Sequence, residues 1–359
     1  MWPRYYNRQV VPHAFSLYTD CATYSAFHLA SRLYADKQLH NSVCSHLVLN
    51  ILHSCNEGHR DSIISMTISA KIVADSVSPF GIRLTTLQLR YPKFIHGEFM
   101  THRVFSRNAS SSRAIPIERL IQDTIDDPAL PVSWGKNQKG MQASEELNKE
   151  DAKQATAIWL QARDNAVIQA RILATMNIHK QLVNRIIEPF CHINVVVTAT
   201  EWNNFFSLRR HKDAQPEIRL LADTIWEEMQ LSTPKHVPYG KWHLPYISEE
   251  DKLLIREKAT AIKCSVARCA RVSYVTHTFK KPTIEEDLAL YERLVGAQPI
   301  HASPAEHQAT PDTTVASRWA NPGLHGNFTG WKQYRKTIPG ENGDATYTES
   351  RESAPNANK

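Results

Sequence analysis

Residues 101–113 read Thr-His-Arg-Val-Phe-Ser-Arg-Asn-Ala-Ser-Ser-Ser-Arg and crowd cationic, hydroxyl and amide donors into thirteen consecutive positions. A phosphate or pyrophosphate needs such a group. Guanidinium forks make charge-assisted bidentate bonds to it, and hydroxyls and backbone N–H groups fill the remaining acceptor sites. The same composition suits a solvated serine-rich loop following a helix; what favours anion binding is the ordered spacing His-Arg-x-x-Ser-x-Asn-x-x-Ser-x-Arg. Downstream, Arg185 and Arg209 stand in Asn-Arg-Ile-Ile-Glu-Pro and Asn-Phe-Phe-Ser-Leu-Arg contexts. Taken alone, each reads as a helix-surface ion pair. Cys191-His192 places a thiol beside an imidazole, a pairing able to make a nucleophile, although a buried free cysteine is the commoner case. His301, Glu306 and His307 lack His-Glu-x-x-His spacing and no thiol pair assists them, so no metal site is expected. Neither a Gly-x-Gly-x-x-Gly fingerprint nor a P-loop is present, which argues against an ordinary dinucleotide fold or a P-loop enzyme.

The spacing at 101–113 resembles the signature of the flavin-dependent thymidylate synthases, with His102, Arg103, Ser106, Asn108, Ser111 and Arg113 in its positions. The family's leading Arg is Thr101 here, and its Glu after the Asn is Ala109. Asn204 to Arg209, followed by Asp213-Ala214-Gln215-Pro216-Glu217-Ile218, is similar to the segment in which an Asn meets flavin and an Arg lies against uracil. Arg185 resembles the other nucleotide-binding Arg, while two upstream flavin contacts of the family fall on Thr198 and Thr200. Ala270-Arg271-Val272-Ser273 and His301-Ala302-Ser303-Pro304-Ala305-Glu306-His307 are similar to two further family elements. In shorter members these precede the Arg/Ser signature; here they follow it, an order compatible with the same fold if the joined ends lie close together. The resemblance covers about residues 66–335.

The resemblance implies reductive methylation of dUMP to dTMP with FAD as cofactor and methylenetetrahydrofolate and NADPH as co-substrates. It implies that Glu98, Ser111, Ser112, Arg113, Arg185 and Arg209 bind dUMP, with Arg209 catalytic through stabilisation of the ionised pyrimidine. It places Thr101, His102, Arg103, Asn108, Asn204, Ser303 and Glu306 around FAD. It further implies a homotetramer with sites shared between subunits. Three other readings stay open: a flavoenzyme of the same fold making another 5-substituted deoxyuridylate, a non-catalytic nucleic-acid-binding module, and a flavin-free synthase using Cys191.

The elements that must position these residues belong to a chain of 359 residues, long enough for two domains or one large core with appendages. An apolar fraction of 42% with 22% charged residues excludes a disordered or low-complexity protein. The longest strongly apolar run, near Ile193 to Ala199, is far short of the roughly 20 residues that span a bilayer. A net charge of +6 is mild for this length and suits a small anionic substrate rather than duplex DNA. Six scattered cysteines form no disulfide framework, which reads as a reducing, cytoplasmic setting.

Residues 1–65 read as an N-terminal extension, 66–340 as the catalytic domain with its start near Met66, and 341–359 as a disordered tail. Within the domain, Ser69 to Ser78 and Ile82 to Tyr91 form a strand pair around a Pro79-Phe80-Gly81 turn. The second strand's apolar phase slips at Thr85-Thr86, which predicts a β-bulge there. A helix is expected from Phe94 toward Val104, then a polar loop from Asn108. Pro131 to Gly140 reads as a loop, and its part from Trp134 to Gly140, with Lys136 and Lys139, suits either closure over an anion or a plain connector. Helices are expected over about Ala143–Thr175, Ile178–Ile187, Gln215–Met229, Glu249–Cys269 and Glu285–Val295, while Val195 to Thr198 suits strand or buried helix. Unequal blocks of helix and strand predict an α+β class, a flavin-dependent thymidylate synthase-like fold with an antiparallel or mixed sheet and long helices.

Overall fold

The computed structural model describes residues 68–272 and 282–341, which lie in one compact unit, Asp61–Lys359. The expectations for residues 1–65, for a start at Met66, for Ser273 and for the tail beyond 341 fall outside the described residues. The fold is α+β around a mixed five-stranded sheet. Its strands are β1 (Ser69–Val77), β2 (Arg83–Pro92), β3 (Ser106–Ala109), β4 (His192–Ala199) and β5 (Lys235–His236), in spatial order β3-β4-β2-β1-β5. All pairings are antiparallel except β1 with β5.

β2 is a central strand, and both of its faces are covered. Leu87, Leu89 and Tyr91 join Val195 and Val197 of β4 in the main core, whereas Leu84 packs on the opposite face with Phe328 and Trp331. The apolar residues change faces midway, and Thr85 and Thr86 fill the crossover fully buried. This corrects the predicted bulge: β2 is regular at Thr85-Thr86, and the register shift lies in β1 between Ile72 and Ala74. The same two-sided burial explains the continuous apolar run of β4. Its odd-numbered residues face the main core, while Val196 faces Cys269 and Val272.

The helices are α1 (His96–Phe99), α2 (Ile117–Asp126), α3 (Lys149–Thr175), α4 (Lys180–Val183), α5 (Asn203–Arg209), α6 (Pro216–Leu231), α7 (Glu249–Leu254), α8 (Lys258–Arg271) and α9 (Ile284–Leu294). α6 starts at a proline, whose missing N–H costs nothing in the first turn. It buries Ile218, Leu221, Ala222, Ile225 and Met229 along one stripe against the sheet. Each large side chain there contributes about 1.5–3 kcal/mol by burial, and truncating Leu221 or Ile225 to Ala costs about 2–5 kcal/mol. The expected helix from Glu249 is two helices, α7 and α8, because Ile255 turns extended (φ −93°, ψ 97°). The helix before the signature ends at Phe99 rather than near Val104. Ser106–Ala109, expected to run into a loop, is instead edge strand β3, paired through Ser106↔Thr198 to Ala109↔Val195.

Candidate active site

Arg209 ends α5 and points back at the turn after α1. Its Nε donates to His102 Nε2 (3.0 Å), one terminal nitrogen to Glu98 Oε2 (3.1 Å) and the other to Thr101 Oγ1 (3.2 Å). The local sequence explains the approach. Phe205 and Phe206 of α5 anchor in an aromatic cluster with Phe99, Phe105 and Trp202, and the His102 ring stands edge-on to Phe205 at 5.0 Å. Burial, followed by the charges of Arg209 and Arg107, pushes the His102 pKa down to about 4. His102 is therefore a neutral acceptor for Arg209 at physiological pH. The neighbouring Arg107 is spent on closing the turn, donating to the carbonyls of Met100 (3.0 Å) and His102 (2.9 Å).

A second cluster gathers where the signature leaves β3. Ser112 Oγ donates to Glu188 Oε1 (2.5 Å), which Lys93 Nζ also meets (2.6 Å), and Arg185 reaches both Glu188 oxygens (3.2 and 3.3 Å). The buried Asn184 fixes the loop beneath by donating to the carbonyls of Ser112 (2.7 Å) and Ile115 (3.0 Å).

A third cluster forms where segments late in the chain meet β3. The turn at Ser303–Glu306 lies against β3: Ser303 Oγ donates to Asn108 Oδ1 (3.5 Å), and Asn108 Nδ2 donates to the Cys269 carbonyl (2.8 Å). Gln333 Nε2 bridges Ser106 Oγ and the Glu306 carbonyl, each at 3.1 Å. Segments far apart in the chain thus share one face of the signature strand. His307 anchors this turn through a buried polar chain: Nδ1 meets Thr198 Oγ1 (2.8 Å), Thr198 meets Thr86 (2.7 Å), and Thr86 meets His243 Nε2 (2.7 Å). The Glu306 carboxylate is ion-paired with Arg335.

Arg103 is exposed and lines a cleft of about 440 Å³ together with Gly326, Asn327 and Thr329. The side chains of Ser111, Arg113 and Asn204 make no hydrogen bond or ion pair among the described residues, and Arg113 and Asn204 are exposed. Of the residues singled out from the sequence, the structure therefore joins Glu98, Thr101, His102 and Arg209. It also joins Ser112 to Arg185 through Glu188, and Asn108 to Ser303. Lys93, Glu188 and His243 enter the clusters without having been expected, while His307 closes the 301–307 element already singled out. Of the first three, only Glu188, three residues after Arg185, carried a sequence signal, an i,i+3 charge pair. Thr198 is fully buried and committed to Thr86 and His307, so it is not available to a cofactor. Lys136, in the loop that suited either anion closure or a plain connector, is paired with Glu145 (2.9 Å). Cys191 is buried, with its thiol pushed up to about 11 mainly by burial, and is therefore protonated at neutral pH. No helix among the described residues is long and apolar enough to cross a membrane.

The signature strand of this α+β fold is thus flanked by guanidinium, hydroxyl and imidazole groups drawn from distant segments. The chain matches the family described as thymidylate synthase complementing protein over residues 30–235, more than half its length, and belongs to that family. The match contains the signature, Arg185 and Asn204 to Arg209, and ends before the 270–273 and 301–307 elements. A comparison with curated proteins gives no match. Among solved structures, the chain is similar to the UMP/dUMP methylase PolB from Streptomyces cacaoi bound with 5-Br UMP (16% identity, 45% of this chain and 88% of that one, TM-score 0.37). The same methylase bound with 5-Br dUMP gives 16% identity, 45% and 89% coverage and a TM-score of 0.39. Flavin-dependent thymidylate synthase ThyX from Helicobacter pylori, complexed with FAD and dUMP, gives 18% identity, 41% and 67% coverage and a TM-score of 0.29. Family membership rests on the match over residues 30–235 and not on these distant likenesses.

Proposed function

We propose that the protein is a flavin-dependent thymidylate synthase that methylates dUMP to dTMP with methylenetetrahydrofolate and NADPH. The observation that carries this reading is Arg209, a guanidinium drawn by α5 onto Glu98, Thr101 and a neutral His102 at the head of a family signature. Three fixed partners hold the guanidinium in place before substrate arrives. A guanidinium within about 4–6 Å of an acid lowers its pKa by roughly 1–3 units, which favours the ionised pyrimidine. Glu98 neutralises part of that charge and tethers the side chain. Ser111, Ser112, Arg113 and Arg185 supply donors for the 5′-phosphate, and exposed Arg113 reaches it without breaking an existing pair.

The residues fit a flavin in part. Arg103 on its cleft, exposed Asn204 and Ser303, and Asn108 present cationic and amide groups of the kind a dinucleotide takes. Thr198 is withheld in the buried chain, and Glu306 is held by Arg335. When bound, FAD supplies the two-electron chemistry of the reductive methylation. The homotetramer with shared sites belongs to the same proposal. The decisive experiment incubates the protein with dUMP, methylenetetrahydrofolate and NADPH, with and without FAD, and identifies the nucleotide by mass. FAD-dependent dTMP supports the reading, and no turnover with no bound flavin refutes it. A second reading, a different 5-substituted deoxyuridylate, is favoured by the withdrawal of Thr198 and by Ala109; a FAD-dependent product of another mass selects it.

A further inference from the structure

The anion-facing cluster holds a carboxylate of its own. Glu188 receives Ser112 Oγ at 2.5 Å, Lys93 Nζ at 2.6 Å and Arg185 at 3.2 and 3.3 Å. An ammonium, a guanidinium and a hydroxyl converging on one point are the donors that a phosphate monoester takes. Burial alone raises the Glu188 pKa, but hydrogen bonds from Lys93 and Ser112 and the charges of Lys93 and Arg185 outweigh it and lower it. The group is therefore an anion throughout the neutral range. A phosphate dianion arriving at Ser112 and Arg185 meets like charge already seated on its ligands. The Arg185 side chain is 56% exposed and that of Glu188 18%, so the cluster meets solvent chiefly on the Arg185 side. Lys93 lies at the start of the turn after β2, with its amide N–H donated to the Cys191 carbonyl (2.9 Å), so its backbone is fixed while its ammonium is presented to the cluster.

We infer that Glu188 is a specificity-determining residue: a resident carboxylate that occupies Lys93, Ser112 and Arg185 in the free protein and yields them to a phosphate dianion. Lys93 is thereby a phosphate ligand. A neutral nucleoside does not compete for these donors and gains nothing from them, whereas a nucleoside monophosphate replaces one anion with a more highly charged one. The inference rests on Ser112 and Arg185 as phosphate ligands.

The test is calorimetric binding of dUMP and of deoxyuridine to the whole protein, compared with Glu188→Gln and Lys93→Met. Glu188→Gln keeps the side-chain length and one acceptor oxygen while removing the charge. It is expected to tighten dUMP binding about tenfold or more and to leave deoxyuridine unchanged. Lys93→Met is expected to weaken dUMP about tenfold, again without effect on deoxyuridine. Glu188→Asp, which withdraws the carboxylate by one methylene, gives a smaller gain of the same sign and serves if Glu188→Gln does not melt cooperatively. Equal or weaker dUMP binding by the folded Glu188 variants, with wild type binding dUMP, overturns the screening role alone. Wild type that binds neither dUMP nor inorganic phosphate overturns the nucleotide-site reading as well.

Discussion

Acid should unfold this protein through two buried histidines. His243 and His307 are both sealed from solvent, and burial pushes each pKa from 6.5 down to about 3. The charge of His243 depresses His307 further, while Asp75 partly offsets the shift at His243. The folded state thus resists protons that the unfolded chain accepts below pH 6.5. Stability is complete above that value and falls as pH drops toward the folded pKa. At pH 5 the unfolded imidazoles are about 1.5 units below their midpoint, which costs about 2 kcal/mol for each histidine. Two such groups remove about 4 kcal/mol from a domain whose total stability is typically about 5–15 kcal/mol. The assay is the urea midpoint at pH 7, 6 and 5 for wild type and His307→Asn. Asparagine reaches Thr198 Oγ1 where Nδ1 stood but does not titrate, and it abandons only Nε2, which has no partner among the described residues. The variant is expected to be less stable at pH 7 by about 1–3 kcal/mol through lost ring packing, yet to lose about 2 kcal/mol less than wild type between pH 7 and 5. A pH dependence as steep as that of wild type would show that His307 does not titrate as its burial demands.

Arg209→Ala should lower kcat by about 100-fold or more while changing dUMP affinity far less, whereas Arg113→Ala should chiefly weaken dUMP binding; steady-state kinetics with direct binding separates them, and the reversed pattern refutes the division of roles. Arg268→Ala should cost about 3 kcal/mol in urea melts, because it removes the guanidinium that the buried Asp251 and Asp287 carboxylates share at 2.6 and 2.7 Å and leaves Asp287 with Arg271 at 3.1 Å. Cys191→Ala should retain FAD-dependent turnover, since a thiol raised to about 11 is not a thiolate at neutral pH. Abolished product formation in a folded Cys191→Ala protein would reinstate the thiol as a nucleophile.

By itself the sequence determined the α+β class, the strand pair around Pro79-Phe80-Gly81, the amphipathic α6 and the signature that identifies the family. These depend on local periodicity, turn chemistry and short-range spacing, which survive in one dimension. Tertiary structure alone decided that Ser106–Ala109 is an edge strand, since only pairing with β4 distinguishes a strand of Ser, Arg, Asn and Ala from a loop. It also decided that Thr85-Thr86 marks a change of core face rather than a bulge, because only the layers above and below β2 show that both faces are covered. Arg209 was legible as a candidate, but its three partners lie more than a hundred residues upstream, and no local pattern encodes a contact of that span. Lys93 was hidden for the same reason, and Glu188 showed only its local i,i+3 pairing with Arg185. Each is an ordinary surface charge in sequence and joins Ser112 in one cluster only when β2, the signature and the turn before β4 converge.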